Sequence, residues 1–235
     1  MAKTASENTI IKINPIKIQK LDITIVGDTP LLVHAWSEKA KREMLEAQQK
    51  LKKDKKAKEI RNPFREYVDA MYWITPKPDF DGMTEAEMKK AFEKAVANGA
   101  KFGFPIIAIK QGAMEACYHA GLAKKTFMRS AFYINQKGGT IYEGNELAVI
   151  ETSEPPAFRE DMVKIGGMTK VADLRYRPEF RNWKMHLTVS LIDTGVFTME
   201  SIVNAINLCG YMNGIGEWRM ERDGNFGHFH VETEG

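Results

Sequence analysis

Cysteine is scarce in this sequence: two residues, Cys117 and Cys209, in a chain of 235. They form no Cys-x-x-Cys pair, which excludes a disulfide framework and a thiolate metal clip and points to a reducing, cytoplasmic setting. Long apolar runs are also missing. No stretch approaches the roughly 18 residues that a membrane helix needs, and the start, Met1 to Asn14, is polar, so no membrane partner is expected. Charge of one sign is missing too. Lys and Arg number 34 against 31 Asp and Glu, a formal net charge of +3, so only local clustering of charge can argue for a polyanion. The chain has no Gly-x-Ser-x-Gly, no His-Glu-x-x-His and no phosphate loop ending in Lys-Ser/Thr. An enzyme is therefore not expected, and no cofactor is implied.

What is present is an ordinary globular composition, 43% hydrophobic with 12 Phe, 7 Tyr and 4 Trp, enough for one domain with its own core. Apolar residues alternate from Ile16 to Val26 and stop at Gly27-Asp28-Thr29-Pro30, which predicts a first strand and a turn. From Ser37 to about residue 59 the sequence turns helical but very polar. Its apolar stripe is thin, and Lys50, Lys52, Lys53, Lys55, Lys56 and Lys58 crowd its end, which marks a solvated face or an arm that touches phosphates. A short helix over Thr84 to Ala97 has Thr84 as N-cap with Glu87 three residues on. Residues 37–100 read as an inserted helical subdomain, and residues 1–36 and 101–235 as the core.

The core resumes at Phe102-Gly103-Phe104-Pro105 and continues into a helix from Ile106 to Leu122. Ala131 to Ile134 and Thr140 to Tyr142 flank Asn135-Gln136-Lys137-Gly138-Gly139, which is hairpin chemistry, and Leu147 to Glu151 and Met162 to Ile165 are further strands. A strand from Trp183 to Ile192, a helix from Thr198 to Tyr211 stopped by Gly210, and a strand near Phe226 to Val231 close the chain. The order β-α-β…β-α-β predicts an α+β, ferredoxin-like split βαβ sheet.

Two segments join cations to aromatic rings. In Asp173-Leu174-Arg175-Tyr176-Arg177-Pro178-Glu179-Phe180-Arg181-Asn182-Trp183-Lys184 they interleave at the expected mouth of a strand. Single-stranded nucleic acid is bound by this mixture, because phosphates need charge and unstacked bases need flat apolar surface. The same residues would also make a closed salt-bridge cluster, with Asp173 and Glu179 holding the arginines and the rings packed inward. The second segment, Gly214-Ile215-Gly216-Glu217-Trp218-Arg219 with Arg222, follows a helix, and its glycines would let a foreign backbone approach closely.

His228 and His230 stand two apart on the expected last strand and would share a face, while His34, His119 and His186 are scattered. No third metal ligand accompanies the pair.

These elements resemble a family. A first strand, a helix entered through Pro105…Lys110-x-Gly112, and a last helix running into Gly214-Ile215-Gly216-Glu217-Trp218-Arg219 before Phe226-Gly227-His228-Phe229 are similar to the RAMP superfamily, the RRM-like backbone subunits of CRISPR effector complexes. The stretches Gly27 to Ala40 and Ala172 to Phe180 also resemble proteins encoded by bacteriophages and prophages. The resemblance implies an RRM-like fold, polymerisation on single-stranded RNA or DNA, and other effector-complex subunits as partners. Arg175, Arg177, Arg181 and Lys184 are expected to hold phosphates. Tyr176, Trp183 and Trp218 are expected to stack on bases, with Gly214, Gly216, Arg219 and Arg222 completing the site. A related endoribonuclease using His34, His228 or His230 and a virion assembly protein are the alternatives.

Overall fold

A computed structural model describes residues 15–36, 61–138, 147–165 and 171–233, with residues 13, 41, 44–46 and 48–49 besides. Its elements in chain order are β1 (Ile18–Gly27), β2 (Leu31–Leu32), α1 (Pro63–Asp69), β3 (Tyr72–Trp73), α2 (Glu85–Ala97), β4 (Phe102–Pro105), α3 (Ile106–His119) and α4 (Lys125–Arg129). Then follow β5 (Phe132–Gln136), β6 (Leu147–Thr152), β7 (Ala157–Ile165), β8 (Val171–Phe180), β9 (Trp183–Ile192), α5 (Met199–Met212), a 3-10 turn (Met220–Arg222) and β10 (Phe229–Thr233). The fold is α+β with antiparallel sheets. The lysine run Lys50 to Lys58 and the expected strand Thr140 to Tyr142 lie outside the described residues.

β9 organises the main sheet. Its odd residues Trp183, Met185, Leu187, Val189 and Leu191 are all buried, the outcome that period-two alternation predicts. β1 runs antiparallel along it, Ile18 opposite Ile192 and Val26 opposite Lys184, and β10 lies on the outer side of β1. β5 pairs with the second half of β9 and β6 with its first two residues, giving the order β10-β1-β9-β6-β4-β3 with β5 beside β9. Ile23 and Ile25 of β1 join the buried face of β9 in one cluster with Ile106, Ile109, Ala113 and Ala116 of α3 and Ile202, Ala205, Ile206 and Cys209 of α5.

The helices start where their caps dictate. Thr84 and Glu87 exchange hydrogen bonds at the start of α2, and Thr198 and Ser201 do so at the start of α5. Two glycines decide how α5 docks. A Cβ on Gly112 of α3 would stand 2.5 Å from the Cys209 Sγ, so the glycine lets the two helices approach. Gly210, expected to stop α5, instead lies inside it, where a Cβ would meet the Phe229 carbonyl oxygen of β10 at 1.9 Å. Close packing, not chain termination, explains that glycine.

Residues 61–100 contribute α1, β3 and α2, whose apolar side chains are continuous with the main core. Phe92 of α2 packs edge-on to Phe64 and Tyr67 of α1 and to Trp73 of β3, and Trp73 in turn meets Phe102. Phe102 lies 5.7 Å from Phe180 of β8, which carries the aromatic cluster into a second, three-stranded sheet ordered β2-β8-β7.

Candidate nucleic-acid interface

The segment Asp173 to Phe180 is not the mouth of a strand but a strand itself, most of β8. It pairs with β7 so that Arg175 faces Asp161, Arg177 faces Arg159 and Glu179 faces Ala157. Directly opposed residues share a face, so Arg159, Asp161, Asp173, Arg175, Arg177 and Glu179 stand together on one side of this sheet. The glycine loop closes over that side. Trp218 holds a positive φ of 49°, and its ring lies 5.6 Å from the guanidinium carbon of Arg177 and 5.6 Å from that of Arg159. Phe226 packs beside Trp218 and meets Arg159 at 4.7 Å. Two segments that the sequence shows forty residues apart thus form one structure.

Its charges are internally matched. Arg159 donates from Nε to Asp161 Oδ1 at 2.7 Å and from Nη1 to Glu179 Oε2 at 2.9 Å, and Arg181 donates to Glu179 Oε1 at 2.7 Å. Arg175 meets Asp173 at 3.1 Å, Arg219 meets Glu221 at 3.0 Å, and Lys184, on the main sheet, meets Glu151 at 3.5 Å. Burial drives the Glu179 carboxyl upward, but the hydrogen bonds from Arg181 and Arg159 outweigh it and hold the group below its usual value. The closed salt-bridge arrangement that the sequence allows is the one adopted.

Arg177 is the buried centre, 5% exposed, with Asp161 Oδ2 and Glu217 Oε2 each 3.6 Å from its guanidinium. Its Nε and Nη1 have no hydrogen-bond partner among the described residues, nor has Nδ1 of the neighbouring His34. Burial first, and the Arg177 charge second, lower the His34 pKa.

Several expected roles change with this geometry. Arg177 is sealed under Trp218 and cannot reach a phosphate. Trp183 is 1% exposed, donates from Nε1 to the Thr29 carbonyl at 2.8 Å and packs on Phe229, so it is a core residue and not a stacking platform. Tyr176 is buried, stacked on Phe158 and lying under Arg61. Gly214 and Gly216 do take positive φ, 66° and 83°, but they serve the chain's own packing: a Cβ on Gly216 would meet the Leu32 carbonyl oxygen at 2.3 Å. Four amides of the loop are spent internally as well, with Gly214 donating to Cys209, Ile215 to Gly227, Glu217 to Leu32 and Phe226 to Trp218. Arg181 and Arg222 are exposed, and Arg175, Trp218 and Arg219 are partly so.

Arg159, Asp161, Glu217 and Phe226 belong to the site without having been expected. The signal for the first two was available: Arg159-x-Asp161 and Asp173-x-Arg175-x-Arg177-x-Glu179 place charges of both signs at period two. Beside the loop, a cleft of about 210 Å³ is lined by Gln111, Gly112 and Glu115 of α3 and by Gly214, Gly216 and Arg219. Lys110 turns away from it to donate to the Arg129 carbonyl.

The histidines do not gather. His228 precedes β10, so it does not share a strand face with His230, which pairs with Asp28 at 2.7 Å on the main sheet. His34 lies beside Arg177. Among the described residues no group of three or more His, Cys, Asp and Glu is placed to hold a metal ion, and no helix is long and apolar enough to cross a membrane. No protein-family model matches the chain, and no curated protein matches it.

Proposed function

We propose that this chain is an RRM-like, RAMP-related protein that binds single-stranded RNA or DNA with little sequence preference and self-associates along it. The observation that carries this reading is the convergence of the β7–β8 sheet and the Trp218 loop, where Arg159 and Arg177 lie against a partly exposed indole and Arg175, Arg181, Arg219 and Arg222 of the same two segments keep solvent access. Charge beside a flat ring is what a flexible polyanion with unstacked bases requires. The split βαβ core is supported by the antiparallel run β10-β1-β9-β5, with α3 between β1 and β5 in the chain and α5 joining β9 to β10. A glycine loop between the last helix and the last strand supports the RAMP relation, from which effector-complex subunits follow as partners.

A second reading, a virion assembly protein, is favoured by one observation: Arg175, Arg177, Arg181 and Arg219 all face carboxylates of their own chain. Phosphates must compete with those carboxylates, so binding should be modest and salt-sensitive. Fluorescence anisotropy of a labelled single strand decides. Replacing Arg175, Arg181 and Arg222 by Ala should weaken binding and flatten the salt dependence, whose log-log slope is about −0.7 per neutralised phosphate. A wild-type protein that ignores the oligonucleotide in low salt would overturn the proposal in favour of assembly.

A further inference from the structure

We infer that β7 is the surface through which two copies of this chain associate, pairing edge to edge with its equivalent about a two-fold axis at Met162. β7 ends the three-stranded sheet, with β8 on one side and no strand on the other among the described residues. An unpaired edge of this length is a template for another strand unless something blocks it. Proteins usually block such edges with a proline, a bulge or inward-pointing charge. Residues 157–165 contain no proline and pair continuously with β8, without a bulge, and the charges that β7 does turn inward, Arg159 and Asp161, are held by each other and by Glu179 and Arg177 of β8.

The side chains are self-complementary at one register. On the face of β7 turned away from the arginine cluster stand Phe158, Glu160, Met162 and Lys164, and Met162, at 68% exposure, is a large apolar side chain left in solvent. Antiparallel pairing centred on Met162 sets Met162 against its own copy and Glu160 against Lys164 of the second copy, twice by symmetry. Centring on Glu160 or Asp161 would instead set two carboxylates face to face, which is destabilising in a directly opposed pair.

The neighbouring strand extends the match. Leu174 of β8, also exposed, is the partner of Met162, so the register creates an apolar row of Leu174, Met162 and their two copies across the axis. Tyr176 stands opposite Glu160 and extends the row that holds each Glu160–Lys164 pair. Two three-stranded sheets would become one of six, and the contact closes on itself, because an isologous interface uses each β7 once. It gives the self-association of the proposed function a surface, yet it depends on strand pairing alone. A longer assembly needs a second contact elsewhere.

Sedimentation of the full chain without nucleic acid tests the inference. Wild type should form a concentration-dependent dimer. Lys164→Glu should shift the dissociation constant upward by at least tenfold, because it faces Glu160 of the second copy, and the double swap Glu160→Lys with Lys164→Glu should restore the dimer. Met162→Cys should give a disulfide-linked dimer on mild oxidation, while Phe158→Cys, far from the axis, should not. A wild-type protein that stays monomeric, a Lys164→Glu variant that dimerises normally, or an unlinked Met162→Cys variant would each overturn it. Oligonucleotide binding, measured separately, would survive that failure.

Discussion

Arg159 and Arg177 stand directly opposite each other on neighbouring strands, two like charges in register with their guanidiniums both against the ring of Trp218. Such a pair is ordinarily unfavourable. It persists because Asp161 meets both arginines, Glu179 holds Arg159 and Glu217 approaches Arg177. Asp161, 4% exposed at its side chain, is the group on which this balance turns.

Asp161→Asn should therefore cost far more than a surface substitution. Removing one partner of a buried pair leaves an uncompensated charge and costs about 3–5 kcal/mol, whereas replacing both partners by apolar groups of similar size is often tolerated. Urea unfolding should show the loss, and the double variant Asp161→Leu with Arg177→Met should recover most of it. Equal midpoints for Asp161→Asn and wild type would show that Arg177 has other support.

Trp218→Ala should lower the melting temperature, and Trp218→Phe should lower it less, because Phe keeps a face for two guanidiniums. Each cation–π contact is worth about 0.5–2 kcal/mol depending on exposure, and about 1 kcal/mol moves the midpoint by roughly 2–4 °C in a chain of this size. Differential scanning fluorimetry of both variants checks the order.

The same cluster shows why the sequence was legible in some places and not in others. β9 is found from Trp183 to Ile192 as predicted, since its apolar residues alternate onto one buried face, although Ser190 on the other face is buried too. The caps at Thr84 and Thr198 are local chemistry and survive into the fold. β8 defeats the same logic. One of its faces buries Arg177 and Glu179, and charged residues look exposed to any reading of hydropathy until partners arrive from β7 and from the loop at 217–218. The glycine loop fails for a related reason: nothing near Gly216 in the chain announces that Leu32 will lie against it.

Acid should destabilise the protein through His34. Burial and the Arg177 charge hold its folded pKa below the ordinary 6.5, so between the two values the unfolded chain binds more protons than the folded one. Stability is then complete above about 6.5 and declines as pH falls toward the folded pKa, where the loss levels off. His34→Gln should remove that part of the slope. Unfolding midpoints from pH 8 to pH 5 for both proteins decide it, and parallel curves would discharge His34 from the effect.

Glycine substitutions should separate packing from backbone freedom. Gly216→Ala combines a positive φ of 83° with a Cβ placed 2.3 Å from the Leu32 carbonyl oxygen, a backbone atom that cannot swing aside. Gly82 has a similar φ of 74° but nothing within 4 Å, so Gly82→Ala should cost only the left-handed strain, about 1–2 kcal/mol. Gly216→Ala must in addition push the loop off β2, and with it Trp218 off the two arginines. The expected outcome is a soluble, slightly destabilised Gly82→Ala protein and a Gly216→Ala protein that either fails to fold or has lost the fluorescence of a packed Trp218. To assign that signal, the comparison is made in Trp36→Phe and Trp73→Phe backgrounds, which leave the buried Trp183 as a constant reference. If Gly216→Ala melts with Gly82→Ala, the loop is not wedged against β2, and its two glycines are free to serve an approaching strand after all.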